Sequence, residues 1–186
     1  MPFGPERLVT KSEGNILYEL DGSSALSLYK EYLGEEKSLD LATHQFHFPL
    51  SYRDEKMKIP VVRTILNIDE SKDAMTFAGD IPQESYVRLM KSTTDRLVDG
   101  AIHAGQTAID SVKTKDPDLA ILISCIGRKI VMAQRVEEEL EAVRDIFGSN
   151  TTITGFYSYG EIAHFNPFEP CQLHNQTMTV TTFTEV

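Results

Sequence analysis

Three short stretches of this chain carry the residue types that do chemistry: Ser124-Cys125-Ile126-Gly127-Arg128, Tyr159-Gly160-Glu161 and His174-Asn175-Gln176-Thr177. The first groups a hydroxyl, a thiol and a guanidinium around a glycine. A thiol at the start of a helix is held toward its thiolate form, and His174 with Glu161 would supply a base and its orienting group. That combination describes a cysteine-dependent enzyme. The same groups also suit recognition without reaction. Exposed backbone N–H groups and a forked guanidinium take a carboxylate or phosphate. Glu161 would accept from an amine while Arg128 meets a carboxylate, an arrangement fitted to an amino acid. Alternatively, Glu161 pairs with Arg128 directly and ties two loops together. The His-Asn-Gln-Thr block puts donors and acceptors on both faces of a strand-like run, and each such group left unpaired on burial costs about 1–3 kcal/mol.

Metal chemistry has weaker support. His44 and His47 share an H-x-x-H spacing, but in a strand or loop they point to opposite faces. Cys171-Gln172-Leu173-His174 looks like half a zinc site with no second pair at a fitting distance. His164 falls in an exposed loop, Ala163 to Pro170, and His103 on the solvated face of a helix. No metal site is expected.

The elements that must position these residues follow from periodicity. Residues 1–14, with Pro2, Gly4 and Pro5, read as a linker-like segment. Ile16–Leu20 is a strand closed by Asp21-Gly22, and a helix capped by Ser23 or Ser24 runs to Gly34. Val61–Ile68 and Ala74–Phe77 form a hairpin, and Tyr86–Met90 adds a strand. Leu97, Val98, Ala101, Ile102, Gly105, Ala108, Ile109 and Val112 share one helical face, and Asp116-Pro117 breaks that helix. Then come a strand at 119–124, apolar throughout as if buried on both faces, a helix at 130–147 and a strand at 152–158. Short connections make this a right-handed βαβ unit with parallel strands. A closing strand spans 173–183. The fold class is α+β: a mixed sheet, mainly antiparallel in its N-terminal part, in a single domain from residue 15 to 186. In the βαβ reading, Ser124–Arg128 and Tyr159–Glu161 lie together at the carboxyl ends of the strands, where open α/β sheets hold ligands.

Composition bounds the function. Over 186 residues the net charge is −10 with no basic block, which argues against nucleic acid. The longest apolar run, Leu119–Ile123, is far below the roughly 20 residues of a membrane span. No leader opens the chain, and two cysteines do not make a disulfide framework, so a reducing cytoplasm is expected.

Taken jointly, Ser-Cys-x-Gly-Arg, Gly-Phe-Tyr-x-Tyr-Gly-Glu-Ile and Leu-His-Asn-Gln-Thr-Met-Thr resemble the C-terminal half of FIST domains. Leu17-Tyr18-Glu19-Leu20-Asp21-Gly22, Tyr32-Leu33-Gly34 and Phe77-Ala78-Gly79-Asp80-Ile81-Pro82 extend the resemblance to about residue 8 onward. The resemblance implies a sensory module of bacterial signal-transduction proteins that binds a small ligand such as an amino acid. Its motif positions are Ser124, Cys125, Gly127, Arg128, Tyr159, Gly160, Glu161, His174, Asn175 and Thr177. It also implies partners: a FIST N-terminal half, which nothing here resembles, and a signalling output domain. No catalytic residue and no cofactor are expected. A haem held by His174, His164 or Cys171 is the family-derived alternative.

Overall fold

The computed structural model of the chain describes residues 1–55, 57, 59–111, 117–165 and 170–185. It corrects the reading of the N-terminus. Residues Pro2–Glu13, expected to be a linker, form the long strand β1. Backbone pairing on both sides overrides the turn residues: β1 is antiparallel to β2 (Ile16–Leu20) and to β8 (Tyr86–Met90). Pro2, Gly4 and Pro5 fall where the β1–β8 register shifts, between Pro2 and Glu6, so they interrupt the ladder without ending it.

The chain divides into two compact units, Met1–Ser92 and Thr93–Val186. In the first, β1 and β2 are followed by β3 (Ser23–Ser24), α1 (Ala25–Leu33), α2 (Glu35–Ser38), α3 (Leu41–His44), β4 (Leu50–Arg53), β5 (Val61–Arg63), β6 (Ile65–Asp69), β7 (Ala74–Phe77) and β8. The sheet order is β5-β4-β8-β1-β2-β7-β6, with β3 beside β2, antiparallel throughout. Ser24 caps α1 by accepting from the Ser27 N–H, and Gly34 ends it at φ 79°. The buried face of α1 (Ala25, Leu26, Tyr29, Leu33) joins Val9, Leu17, Ile65, Met75, Phe77 and Val87 in the core. The expected hairpin exists as β6–β7, but the Val61–Ile68 run divides at Thr64, because β5 pairs with β4 instead.

The second unit holds α4 (Thr94–Ser111), β9 (Leu119–Cys125), α5 (Ile126–Met132), a 3-10 turn (Ala133–Arg135), α6 (Glu137–Phe147), β10 (Thr152–Ser158), β11 (Glu161–Ala163), β12 (Gln172–His174) and β13 (Met178–Phe183). Parallel β9–β10 pairing bears out the βαβ unit. The helix expected over 130–147 is two helices: α5 starts directly after β9, and Ala133 at φ 50° breaks the run before α6. The strand expected over 173–183 is also divided, since Asn175–Thr177 separate β12, which pairs with β11, from β13, which pairs with β9. Leu97, Ala101, Gly105 and Ala108 form the buried stripe of α4, whereas Ile102 is exposed. Val112 and Asp116 lie outside the described residues.

Packing on this three-stranded sheet is one-sided. Ala120 and Leu122 of β9, Met178 and Val180 of β13, and Ile153 of β10 pack with Ala101 and Ala108 of α4 and Val143 and Phe147 of α6. Leu119, Ile121 and Ile123 point to the opposite face and stay half-buried. The strand is therefore not buried on both faces, contrary to the expectation from its apolar run.

Candidate functional site

Strand register brings the three sequence stretches to one end of the sheet of the second unit. β9 and β10 are parallel and both finish there, with Ser158 beside Cys125. β13 runs the other way, so Met178 lies beside Ser124, and Asn175–Thr177 occupy the same end. The β11–β12 pair sets Glu161 opposite His174. All ten expected residues therefore converge. Ser124, Cys125, Gly127, Arg128, Glu161, His174 and Asn175 are buried, Gly160 and Thr177 half-buried, and Tyr159 is 89% exposed.

The partner of Arg128 is neither Glu161 nor an open position for a ligand. It is Glu139 of α6, fully buried at 0% exposure. Arg128 donates to Glu139 Oε2 from Nε at 2.9 Å and from the terminal nitrogen NH2 at 2.7 Å. NH2 also donates to the Leu97 carbonyl on α4 at 2.7 Å. Ser124 Oγ and Tyr157 Oη donate to Glu139 Oε1, each at 3.1 Å. One carboxylate thus gathers four donors from three elements, which is what a buried charge requires. Burial and the adjacent negative Glu139 push the Tyr157 hydroxyl up to about 12. Sequence reasoning missed Glu139. Its signal was the spacing: 139, 143 and 147 form one i, i+4, i+8 stripe with Val143 and Phe147, and all three are buried.

Glu161 has its own hydroxyl partners. Ser158 Oγ donates to Oε1 at 2.5 Å and Thr177 Oγ1 to Oε2 at 2.6 Å. Burial pushes its carboxyl above the usual value, against the opposing pull of these hydroxyls and of Arg128. The Cys125 thiol is also pushed up, first by burial and then by the nearby Glu161 charge, while the Gln176 and Gly127 backbone N–H groups pull the other way. A raised, buried thiol is the reverse of an activated nucleophile. Native protein is therefore expected to take one iodoacetamide adduct near neutral pH, at the exposed Cys171, and two only in denaturant. Labelling of Cys125 as fast as Cys171, read by intact mass, would overturn the account of a buried, unactivated thiol.

His174 is buried, with Nε2 3.1 Å from the Ala163 carbonyl, so Nε2 serves as a donor to backbone. That bond ties the His174 ring to the backbone of β11 through Nε2. His164 and Cys171 are exposed. His44 ends α3, where the sequence suggested strand or loop, and burial holds His47 below its usual value. Among the described residues no group of His, Cys, Asp or Glu could hold a metal ion, and no helix is long and apolar enough to cross a membrane.

Two glycines let the pieces meet. A Cβ on Gly127 would come to 3.1 Å from Gln176 Cγ. One on Gly160 would come to 3.1 Å from Leu173 Cδ1 and 3.3 Å from the His174 carbonyl oxygen. Both separations are tighter than ordinary contact.

No solved structure matches the chain. An uncharacterized protein of Methanocaldococcus jannaschii is 26% identical over 148 residues, a match covering 71% of this chain and 28% of that protein. The chain thus spans under a third of the length of this relative. The family model of the FIST C domain matches residues 25–164, three quarters of the chain, and its range takes in Ser124–Arg128, Glu139 and Tyr159–Glu161. The chain belongs to the FIST C domain family, generally a sensory domain of signal-transduction proteins.

Proposed function

We propose that this chain is a non-enzymatic sensor of a small ligand, an amino acid or other small carboxylate, taken at the end of the sheet where β9, β10 and β13 meet. The observation that carries the reading is the convergence of the ten motif residues at that end. Buried groups there satisfy one another, and the exposed groups beside them face outward. Arg128 and Glu161 form the frame, because Nε and NH2 of Arg128 and both carboxylate oxygens of Glu161 already have protein partners. The groups available to a ligand are Tyr159, exposed at the end of β10, and Lys129. Lys129 is exposed, its Nζ lies 4.9 Å above the Tyr157 ring, and it makes no ion pair among the described residues. An ammonium and an exposed phenol at the same end of the sheet suit an anion with a small organic body. Ligand binding would shift a conformational population relayed to a FIST N-terminal half and an output domain in the cytoplasm.

A thermal-shift screen of amino acids and small carboxylates tests this. A ligand at about 100 times its Kd should add about 2.7 kcal/mol, a clear rise in Tm. Tyr159→Ala and Lys129→Ala should keep the unliganded Tm and lose the rise, since both side chains are exposed. If neither variant loses it, the site lies elsewhere. If no compound raises Tm, the reading falls.

A further inference from the structure

Among the described residues, the helices α4 and α6 of the second unit pack on one face of its sheet, and the register defines what the other face presents. Three cross-strand rows follow from the pairing: Thr152–Leu119–Phe183, Thr154–Ile121–Thr181 and Phe156–Ile123–Thr179. These nine positions carry no charge in a chain with 25% charged residues and a net charge of −10. Phe156 is 62% and Phe183 50% exposed, and none of the nine joins the helix-side core. A parallel strand pair is ordinarily covered on both faces, because its central strand reads apolar throughout, as β9 does. β10 is also an edge strand of the sheet, seven residues without a charge or proline to guard it.

The size of the face selects its occupant. Three strands at about 4.8 Å spacing and seven residues at about 3.3 Å rise give a footprint of roughly 14 by 23 Å. That is about 300 Å², well below the roughly 800 Å² per partner of a stable protein interface. It matches one α-helix, about 10 Å across and about 15 residues long at 1.5 Å rise. We infer that this face is the docking surface for a single amphipathic helix of a partner, laid along the strands with an uncharged apolar stripe against Ile121, Ile123, Phe156 and Phe183. The inference is independent of the ligand reading. The Ser158–Cys125 pair continues the same face, so a docked helix ends over the polar cluster.

The probe is a fluorescein-labelled amphipathic peptide of about 15 residues, designed with a Leu/Ala stripe and zero net charge, which removes attraction to the acidic chain. Added to the full chain, it should show saturable anisotropy binding. Phe156→Asp, Phe183→Asp or Thr181→Glu should each weaken binding about ten-fold or more, while their melting curves match wild type. Leu140→Asp, at an exposed leucine on α6, should leave binding unchanged. Absence of saturable binding to wild type overturns the inference, as does an equal loss in Leu140→Asp. Concentration-dependent dimerisation abolished by Phe156→Asp also overturns it, and assigns the face to a second copy of the chain.

Discussion

Glu139→Ala is expected to destabilise the second unit by about 3–5 kcal/mol, the usual loss when one partner of a buried ion pair is removed. Arg128, 2% exposed, would keep its charge without its carboxylate, and Ser124 and Tyr157 would lose their acceptor together. Since native domains are stable by about 5–15 kcal/mol, the loss takes a large share of the total. Urea denaturation followed by circular dichroism measures it. Glu139→Gln should fall between the two, because an amide keeps the shape and part of the hydrogen bonding but not the charge. The double variant Glu139→Leu, Arg128→Met should recover much of the loss, since neither residue then leaves a charge behind. A loss below about 1 kcal/mol in Glu139→Ala, the range of an exposed pair, would mean that water reaches the pair and the burial described here is wrong.

Gly155→Ala is expected to cost about 3 kcal/mol or more, at the upper end of overpacking effects. Gly155 lies opposite Leu122 in the parallel β9–β10 pair, and a Cβ there would overlap the Leu122 carbonyl oxygen outright. The obstacle is backbone, which no rotamer change can move aside. The strands must separate locally, and the hydrogen bonds that align Ser158 with Cys125 weaken with them. Amide exchange of β9 and β10 should rise well before global unfolding. Unchanged protection at Phe156 and Ile123 in Gly155→Ala would show that β10 approaches β9 less closely than described.

Some of this was written locally. Ser24 and Gly34 bound α1 because a cap needs only its own helix, and the βαβ unit followed from the order and lengths of its elements. Other features were misread where local signals compete with distant ones. Pro2, Gly4 and Pro5 resemble a linker until β2 and β8 supply a ladder on both sides. The periodicity of 130–147 is continuous, and the break at Ala133 has no Gly or Pro to announce it. Leu140 is apolar yet 45% exposed, while the charged Glu139 beside it is buried. Hydrophobic type was a poorer guide there than the 139, 143, 147 stripe.

The sequence alone determined the α+β class, the parallel pair, and the residues that meet at its carboxyl end, because a pattern of apolar and polar positions specifies elements and their order. The tertiary structure decided which charges belong to one another. Arg128 and Glu139 lie 11 positions apart on two helices, and Glu161 meets Thr177 across 16. Side chains such as these are matched by strand register and helix placement, where the desolvation of each buried charge selects the one arrangement that supplies its donors and acceptors. That selection ties Arg128 to Glu139 and Leu97 inside the second unit and leaves Tyr159 and Lys129 exposed.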